Sequence, residues 1–236
     1  MLDDAELLRL ALIRADQIWE ARDTEGLDAA ERALGAAPAS MQRDPEVLWR
    51  LARIEVARGV VAGTGVDARR AWTRARDLGS ACLLSDSGLR AELTNAGWPA
   101  AVKRVGIARV PCLAYAAEGW VRWMVDFGGE PATIDESTLR WWIDAVGWQP
   151  IEGGEQRAAA LRALLATAQE AQAASAMLAE VHLAGRAAGD GAAWVRWEDL
   201  LRVTGGPPPG VAGPAGAPRT PEDKAAFSRI GRGAAR

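Results

Sequence analysis

The stretch from Pro111 to Pro150 reads PCLAYAAEGWVRWMVDFGGEPATIDESTLRWWIDAVGWQP and contains five of the eleven tryptophans of the chain. Two segments of helical length flank a loop that contains glycine and proline, so the stretch predicts a helical hairpin. In the first segment, apolar residues recur at the spacing of one helical face: Leu113, Ala116, Ala117, Trp120, Trp123, Met124 and Phe127. Aromatic residues at this spacing are typical of a core, and we expect Trp120, Trp123 and Trp142 to be buried.

The second segment of the hairpin is apolar on two faces. Thr133 and Glu136 form a capping-box pattern at its start. One face carries Leu139, Trp142, Ile143 and Val146, and another carries Trp141, Ala145 and Trp148. A helix of this kind packs against neighbours on both sides or lines a cavity. We therefore expect Trp141 and Trp148 to line a binding groove, together with Tyr115 and Glu118, which lie off the main stripe of the first helix.

The rest of residues 1–204 also reads as helix. Helix starts are indicated at Asp3 (with Glu6), Glu25, Asp44-Pro45, Asp67, Ser87, Pro99, Glu155 and Asp190. The segment from Glu155 to Gly185 reads as one long helix rich in alanine. No alternating β-branched run of strand type occurs, so we predict an all-α domain built from antiparallel helical hairpins.

Residues 205–236 differ from the rest of the chain. They begin GGPPPGVAGPAGAP, in which ten of fourteen residues are glycine or proline. This composition is typical of a flexible, partly extended linker. The remaining stretch is mildly basic and too short to fold alone, so the sequence predicts a disordered tail, or one that docks on a partner.

Degenerate tetratricopeptide-like patterns occur near the N-terminus. Gly26, Ala30, Ala33 and Pro38 match the second half of such a repeat. The segment 45–59 matches the first half of the next repeat, with Leu48, Leu51, Ala52 and Gly59 at its motif positions, and Ala68, Trp72 and Ala75 fit its second helix. Small residues let paired helices approach closely while the large residue fills the groove opposite. We expect a tetratricopeptide-like array; a generic helical array with accidental matches is the alternative.

The aromatic hairpin resembles a family of helical proteins. Leu113, Tyr115, Ala116, Ala117 and Trp120 follow Val110-Pro111 as in the T-components of TRAP transporters (TatT), which are periplasmic and built from cryptic tetratricopeptide-like repeats. The flanking segments GWPAAVKRVGIARV and LAEVHLAGRAAGDGAAWVRWEDLLRV also resemble that family, and the likeness spans roughly residues 5–203. The resemblance implies a helical protein that associates with a periplasmic solute-binding protein.

Charge and hydropathy exclude several classes of protein. The net charge of −3 offers no global field that would recruit nucleic acid. No run of about 18 apolar residues predicts a membrane span. The N-terminal residues lack the order of a signal peptide, since Asp3, Asp4 and Glu6 stand where positive charge belongs, so the sequence predicts a cytoplasmic location. The family resemblance instead implies the periplasm.

Few residues suggest catalysis or metal binding. Cys82 and Cys112 are the only cysteines and are expected to be small buried side chains without a disulfide framework. His182, the only histidine, has no partner at helical metal spacing and is expected to be an ordinary helix residue. We predict no metal site and no cofactor. Glu118, Asp126 and Asp144 lie near aromatic residues as glycosidase carboxylates would, but nothing in the sequence pairs them.

The leading interpretation is a non-enzymatic binding or scaffold protein that holds a partner protein, or a small apolar or organic-acid ligand. In the family's version, it is an accessory of TRAP-type uptake. The alternatives are a cytoplasmic adaptor for a peptide or protein unrelated to transport, and an enzyme that uses carboxylates as acid and base.

Overall fold

A computed structural model describes residues 2–20, 24–127, 136–148, 154–166, 171–187 and 192–233. These residues form twelve α-helices and no strand, which confirms the predicted all-α class. The helices are α1 (Asp4–Glu20), α2 (Thr24–Gly35), α3 (Pro45–Ala62), α4 (Val66–Leu84), α5 (Ser87–Ala96), α6 (Trp98–Ala101), α7 (Val110–Phe127), α8 (Glu136–Trp148), α9 (Gly154–Ala166), α10 (Ala171–Ala187), α11 (Ala193–Thr204) and α12 (Pro221–Gly233). Short 3₁₀ turns span Ala39–Met41, Val102–Arg104 and Ile107–Arg109.

Aspartate side chains begin several helices. Asp3 accepts a hydrogen bond from the backbone N–H of Glu6 at 2.8 Å, as its capping-box pattern predicts. Asp44 accepts from the N–H of Glu46 at 2.8 Å, ahead of the proline that opens α3. The predicted cap at Asp67 is wrong, because α4 begins earlier, at Val66, after Gly65. The predicted helix starts at Thr133 and Asp190 lie outside the described residues.

Helices α4 and α7 cross at close range because small residues line both sides of the contact. A Cβ atom on Gly79 of α4 would lie 2.6 Å from the carbonyl oxygen of Cys112 and 2.7 Å from the Cβ of Ala116. A Cβ atom on Gly119 of α7 would lie 2.8 Å from the carbonyl oxygen of Trp72. The two backbones are thus in contact, and only glycine fits at these two positions.

The tryptophans of the hairpin divide as their helical faces predict, with one exception. Trp120 and Trp142 are almost fully buried, which confirms the predicted core role, and Trp142 makes an edge contact with Trp98 at 4.8 Å between ring centroids. Trp123 is only partly buried. It packs with residues of α3, α4 and α12 in a second hydrophobic cluster, apart from the first cluster, which contains Trp120 and Trp142. The N-terminal helices form a third cluster, in which Leu27 and Leu34 of α2 pack on Val47 and Ile54 of α3.

The two cysteines are bonded to each other, which the sequence interpretation did not anticipate. Cys82 lies in the last turn of α4 and Cys112 in the first turn of α7, with Cα atoms 5.6 Å apart and the sulfur atoms joined in a disulfide. This Cα separation is usual for a disulfide. Both residues are fully buried, as expected. The prediction of two separate small side chains was wrong because the α4–α7 crossing brings together residues that are 30 positions apart.

The prediction of one long helix from Glu155 to Gly185 was also wrong. Helix α9 ends at Ala166, α10 begins at Ala171, and the two helices pack against each other, which one straight helix cannot do. Alanine has high helix propensity throughout this region, so propensity alone does not mark the reversal.

In the structure, the described C-terminal residues, up to Gly233, pack against the helical domain, where the sequence predicts a flexible linker and a disordered tail. In the linker, the carbonyl oxygen of Ala212 lies 3.2 Å from Nε2 of His182, which is fully buried and packs on Trp197 at 5.1 Å between ring centroids. Helix α12 follows and packs on α3 and α11. None of the described helices is long and apolar enough to cross a membrane.

Candidate functional site

Tyr115 lies in a row of aromatic and arginine side chains that crosses four helices. Its ring is parallel to that of Trp49 of α3, with 6.3 Å between centroids and 4° between planes. On α9, the guanidinium carbon of Arg157 lies 4.2 Å from the Tyr115 ring centroid. Arg53 of α3 lies 5.1 Å from the Trp49 ring and 4.2 Å from the ring of Trp19 of α1. We call these five residues the cation–aromatic stack.

Each member of the stack is half-buried, so part of every side chain faces solvent. Asp16 of α1 holds the stack in place, since its carboxylate accepts from Arg53 at 2.7 Å and from Arg50 at 2.6 Å. Burial lowers the pKa of Arg53 even though Tyr115 and Asp16 act to raise it. Its Nε–H is buried without an acceptor among the described residues. The stack is therefore a fixed surface of rings and cations, of the kind that favours a partner with acidic groups.

Glu118, one turn after Tyr115, belongs to a buried ion-pair network behind the stack. Its carboxylate binds Arg157 of α9 at 2.6 Å and Arg122 of its own helix at 3.5 Å. Arg122 also binds Asp199 of α11 at 3.3 Å. Burial acts to raise the pKa of Glu118, but the two guanidinium groups outweigh it and hold the pKa below the ordinary value. Glu118 is thus an ionised tether between α7 and α9.

The network continues to the far end of α7. Arg202 of α11 binds Asp199 at 3.2 Å and Asp126 at 2.5 Å, and Asp126 accepts from the indole N–H of Trp72 at 3.1 Å. Burial acts to lower the pKa of Arg122, and the neighbouring carboxylates of Asp199 and Glu118 raise it above the ordinary value. These contacts link α4, α7, α9 and α11, and they fix the helices that present Tyr115.

Trp141 and Trp148 form a separate pair on α8. Their rings meet edge to face at 6.3 Å, and Trp148 is 53% exposed whereas Trp141 packs on the core. In the described part of the chain, no ring contact, hydrogen bond or ion pair joins them to Tyr115 or Glu118. The contacts of the described residues thus join Trp141 to Trp148, and Tyr115 to Glu118 through Arg157.

The carboxylates of Glu118 and Asp144, considered for acid–base chemistry, each bind arginines. Asp144 binds Arg162 of α9 at 2.8 Å, while Glu118 binds Arg157 and Arg122. Each carboxylate thus has its own arginine partners. Among the described residues, no group of three or more His, Cys, Asp or Glu side chains is arranged to hold a metal ion.

Comparison of the chain with protein-family models, with curated proteins and with solved structures gives no match. The chemistry of the site therefore has to be argued from its own residues.

Sequence reasoning found Tyr115 and Glu118 but missed Trp49, Arg53 and Arg157. One signal was present: Trp49 and Arg53 are four residues apart, which places a large ring and a cation on one face of α3. Arg157 gave no such signal, because its neighbours in the sequence are mostly alanines and its partners lie on another helix.

The Glu118 network predicts a dependence of stability on pH. Glu118→Gln should lower the free energy of unfolding by about 3 kcal/mol at neutral pH, because it leaves two buried guanidinium groups without their carboxylate. The folded-state pKa of Glu118 is below its ordinary value, so its contribution is complete above about pH 4.5 and is lost as the pH falls through the folded-state value. The difference in the free energy of unfolding between the native protein and Glu118→Gln, measured by urea denaturation, should therefore become smaller in acid.

Glu155→Gln is the matched control, since Glu155 is exposed on the same helix as Arg157. It should change the free energy of unfolding by less than about 0.5 kcal/mol. A Glu118→Gln effect that is no larger, or that does not shrink in acid, would show that the network does not stabilise the fold through the charge of Glu118.

Proposed function

We propose that this protein is a non-enzymatic binding and scaffold protein built from tetratricopeptide-like helix pairs. Its partner is a protein, and the role implied by the resemblance to TRAP-transporter T-components is that of an accessory to a periplasmic solute-binding protein. A small apolar or organic-acid ligand bound to that partner would then reach this protein as part of the complex.

The packing of the N-terminal helices supports the tetratricopeptide-like part of the proposal. Helices α1 and α2 pack as a pair, as do α3 and α4. Ala33 of α2, at a small position of the motif, is buried, and so is Ala30, which stands at the position where the motif has a bulky residue. Gly59 of α3 gives room to Trp72 of α4, because a Cβ atom there would lie 2.5 Å from the Trp72 ring. This is the small-against-large packing that the motif matches imply.

The observation that carries the binding proposal is the cation–aromatic stack. Tryptophan, tyrosine and arginine are the residues most enriched where protein interfaces gain their affinity. Here Trp19, Trp49 and Tyr115 pack with Arg53 and Arg157 across four helices, and each of the five is partly exposed. The ion pairs behind them fix their positions before binding, which reduces the entropy lost on association.

The state of the titratable groups supports a binding role over catalysis. The stack contains no histidine, and arginines hold the pKa values of the two carboxylates that bind it, Asp16 and Glu118, below their ordinary values. A general acid or base works best with a pKa near the working pH. Because its pKa is lowered away from neutral pH, Glu118 is suited to holding the side chains of the cation–aromatic stack in position.

The disulfide between Cys82 and Cys112 favours the periplasmic version over the cytoplasmic adaptor. Disulfides persist in oxidising compartments and are rare in the cytosol, where thiols are kept reduced.

The proposed function is tested by affinity capture from native cells, followed by titration with the partner that is recovered. We expect a solute-binding protein among the captured proteins. Tyr115→Ala should weaken its binding about 30-fold, because it removes the ring between Trp49 and Arg157. Isothermal titration calorimetry measures the affinity, and circular dichroism checks that the variant is folded.

Two further variants make this test specific. Ile107→Ala alters a side chain that is 60% exposed outside the stack, and it should leave the affinity unchanged. Trp148→Ala tests the separate pair on α8. Recovery of cytosolic partners only would reject the transport role, and binding that survives Tyr115→Ala but not Trp148→Ala would move the partner site to α8.

A further inference from the structure

A recess lies between α3 and α4, on the side where α2 approaches, apart from the cation–aromatic stack. Its volume is about 600 Å³, which is within the range of small-molecule sites. Four arginines line it: Arg58 of α3 and Arg69, Arg70 and Arg74 of α4. We call it the α3–α4 cleft.

The charges at the cleft are unevenly paired. Four guanidinium groups and the carboxylates of Glu55 and Asp67 line it, and carboxylates of α2 reach only some of these arginines. Glu55 lies on the inner side of the cleft with only 5% of its side chain exposed, and it binds Arg58 at 2.8 Å. Burial raises the pKa of Glu55 even though Arg74 and Arg58 act to lower it.

The arginines of the cleft differ in how fully they are paired. Asp28 and Glu31 of α2 hold Arg58 at 2.6 Å each, so it is largely neutralised. Arg74 has looser contacts with Glu31 and Glu55, at 3.3 and 3.5 Å, and is 57% exposed.

Arg69 and Arg70, in the first turns of α4, have fewer or longer ion-pair contacts than Arg74. Arg70 is 77% exposed and lies 3.9 Å from Asp67. Arg69 makes no ion pair with any described residue, and its guanidinium carbon lies 5.6 Å from the Trp123 ring and 5.8 Å from the Phe127 ring. Arg69, Arg70 and Arg74 thus keep N–H groups free for an acceptor from outside the chain.

The remaining wall of the cleft is apolar. Ala62 and Val66 border the turn between α3 and α4, and Ala71 lies one turn further along α4. Val66 is 67% exposed, so its side chain is accessible to a ligand in the cleft. An apolar wall next to unpaired guanidinium groups matches a ligand with a charged end and a carbon skeleton.

We propose that the α3–α4 cleft binds a small organic anion that carries at least two oxyanion charges, with its carbon skeleton against Ala62, Val66 and Ala71. Guanidinium groups bind phosphate and carboxylate oxygens through paired, charge-assisted hydrogen bonds. The recess has the volume of a small-molecule site, which favours a small ligand over a protein segment. Phosphate esters and polycarboxylates share this chemistry.

Isothermal titration calorimetry of the full chain with pyrophosphate, and separately with citrate, tests the proposal. We expect saturable binding of at least one of them, weakened by added sodium chloride. The double variant Arg70→Gln/Arg74→Gln should weaken that binding at least about tenfold. The variant should remain folded, because both side chains are mostly exposed. Binding of pyrophosphate alone would assign a phosphate ligand, and binding of citrate alone a carboxylate ligand.

The matched control is Arg9→Gln/Arg90→Gln, which removes the same charge from exposed positions outside the cleft. It should bind the anion as the native protein does. If both double variants weakened anion binding equally, the effect would come from the overall charge of the protein, and the proposal would be overturned. The absence of saturable binding, or unchanged binding in Arg70→Gln/Arg74→Gln, would also overturn it. The result is independent of the partner-binding proposal, because neither arginine belongs to the stack.

Discussion

Gly79→Ala is expected to destabilise the protein by about 2–3 kcal/mol, although it adds a single methyl group. That group would lie 2.6 Å from the carbonyl oxygen of Cys112 and 2.8 Å from the backbone nitrogen of Ala116. Backbone atoms cannot rotate away as a side chain can, so α4 and α7 would have to separate. Gly119→Ala should act in the same direction, since its added methyl group would meet the Trp72 carbonyl oxygen at 2.8 Å. Urea denaturation measures both effects.

Gly35→Ala at the end of α2 is the matched control, because an added Cβ there meets nothing within 4 Å. Alanine is the better helix former, so the control should be neutral or stabilising by up to about 1 kcal/mol. The two substitutions are chemically identical and are expected to have opposite signs. If Gly79→Ala were as stable as the native protein, the α4–α7 crossing would be looser than the structure shows.

The second large effect is expected at Asp223 of α12, which caps a different helix. Its carboxylate accepts from the backbone N–H groups of Trp194 at 2.9 Å and Val195 at 3.1 Å, the second and third residues of α11. The residue before α11, Ala192, has no side chain able to do this. Asp223→Ala should cost about 2–4 kcal/mol, because it removes the acceptor of two N–H groups at a buried helix end.

Hydrogen exchange at the amides of Trp194 and Val195, together with urea denaturation, measures this effect. Asp223→Asn keeps an oxygen acceptor in place and should cost less than half as much. Asp67→Ala is a suitable control, since Asp67 is 87% exposed at the start of α4. If amide protection in α11 survived Asp223→Ala, α12 would not be part of the folded unit.

Other contacts of α12 also join it to the helical domain. Arg229 binds both carboxylate oxygens of Glu198 on α11, at 2.5 and 2.7 Å, and donates to the carbonyl oxygen of Val61 at the end of α3. Ala226 is fully buried, and Phe227 meets Trp194 edge to face at 4.7 Å between centroids. A short helix that cannot fold alone gains its stability from such tertiary contacts.

The helices themselves were largely predictable because their signals are local. The Asp44-Pro45 start of α3 and the apolar stripe from Leu113 to Phe127 each depend on residues within a few turns. Burial of Trp120 and Trp142 followed from the same periodicity. The break between α9 and α10 was missed because an alanine-rich segment supports a helix on both sides of it.

For the candidate site, the sequence identified α7 as the helix that carries Tyr115 and Glu118, but not the residues of other helices that contact them. It indicated that Tyr115 and Glu118 lie off the buried stripe of α7, which is a matter of helical spacing. That Tyr115 faces Trp49 and Arg157, and that Trp141 and Trp148 lie elsewhere, depends on how α3, α8 and α9 pack around α7. Many packings are compatible with one pattern of apolar faces, so helical periodicity does not select among them.

The sequence by itself determined the all-α class, most helix starts and the tryptophans of the core, because capping and helical periodicity act between residues close in the chain. Only the tertiary structure decided the Cys82–Cys112 bond, the docking of α12 and the cation–aromatic stack. These features join groups that are far apart in the chain; Arg229 and Val61, for example, are 168 positions apart. Such contacts form only when several apolar faces have been buried together, and no short pattern encodes them.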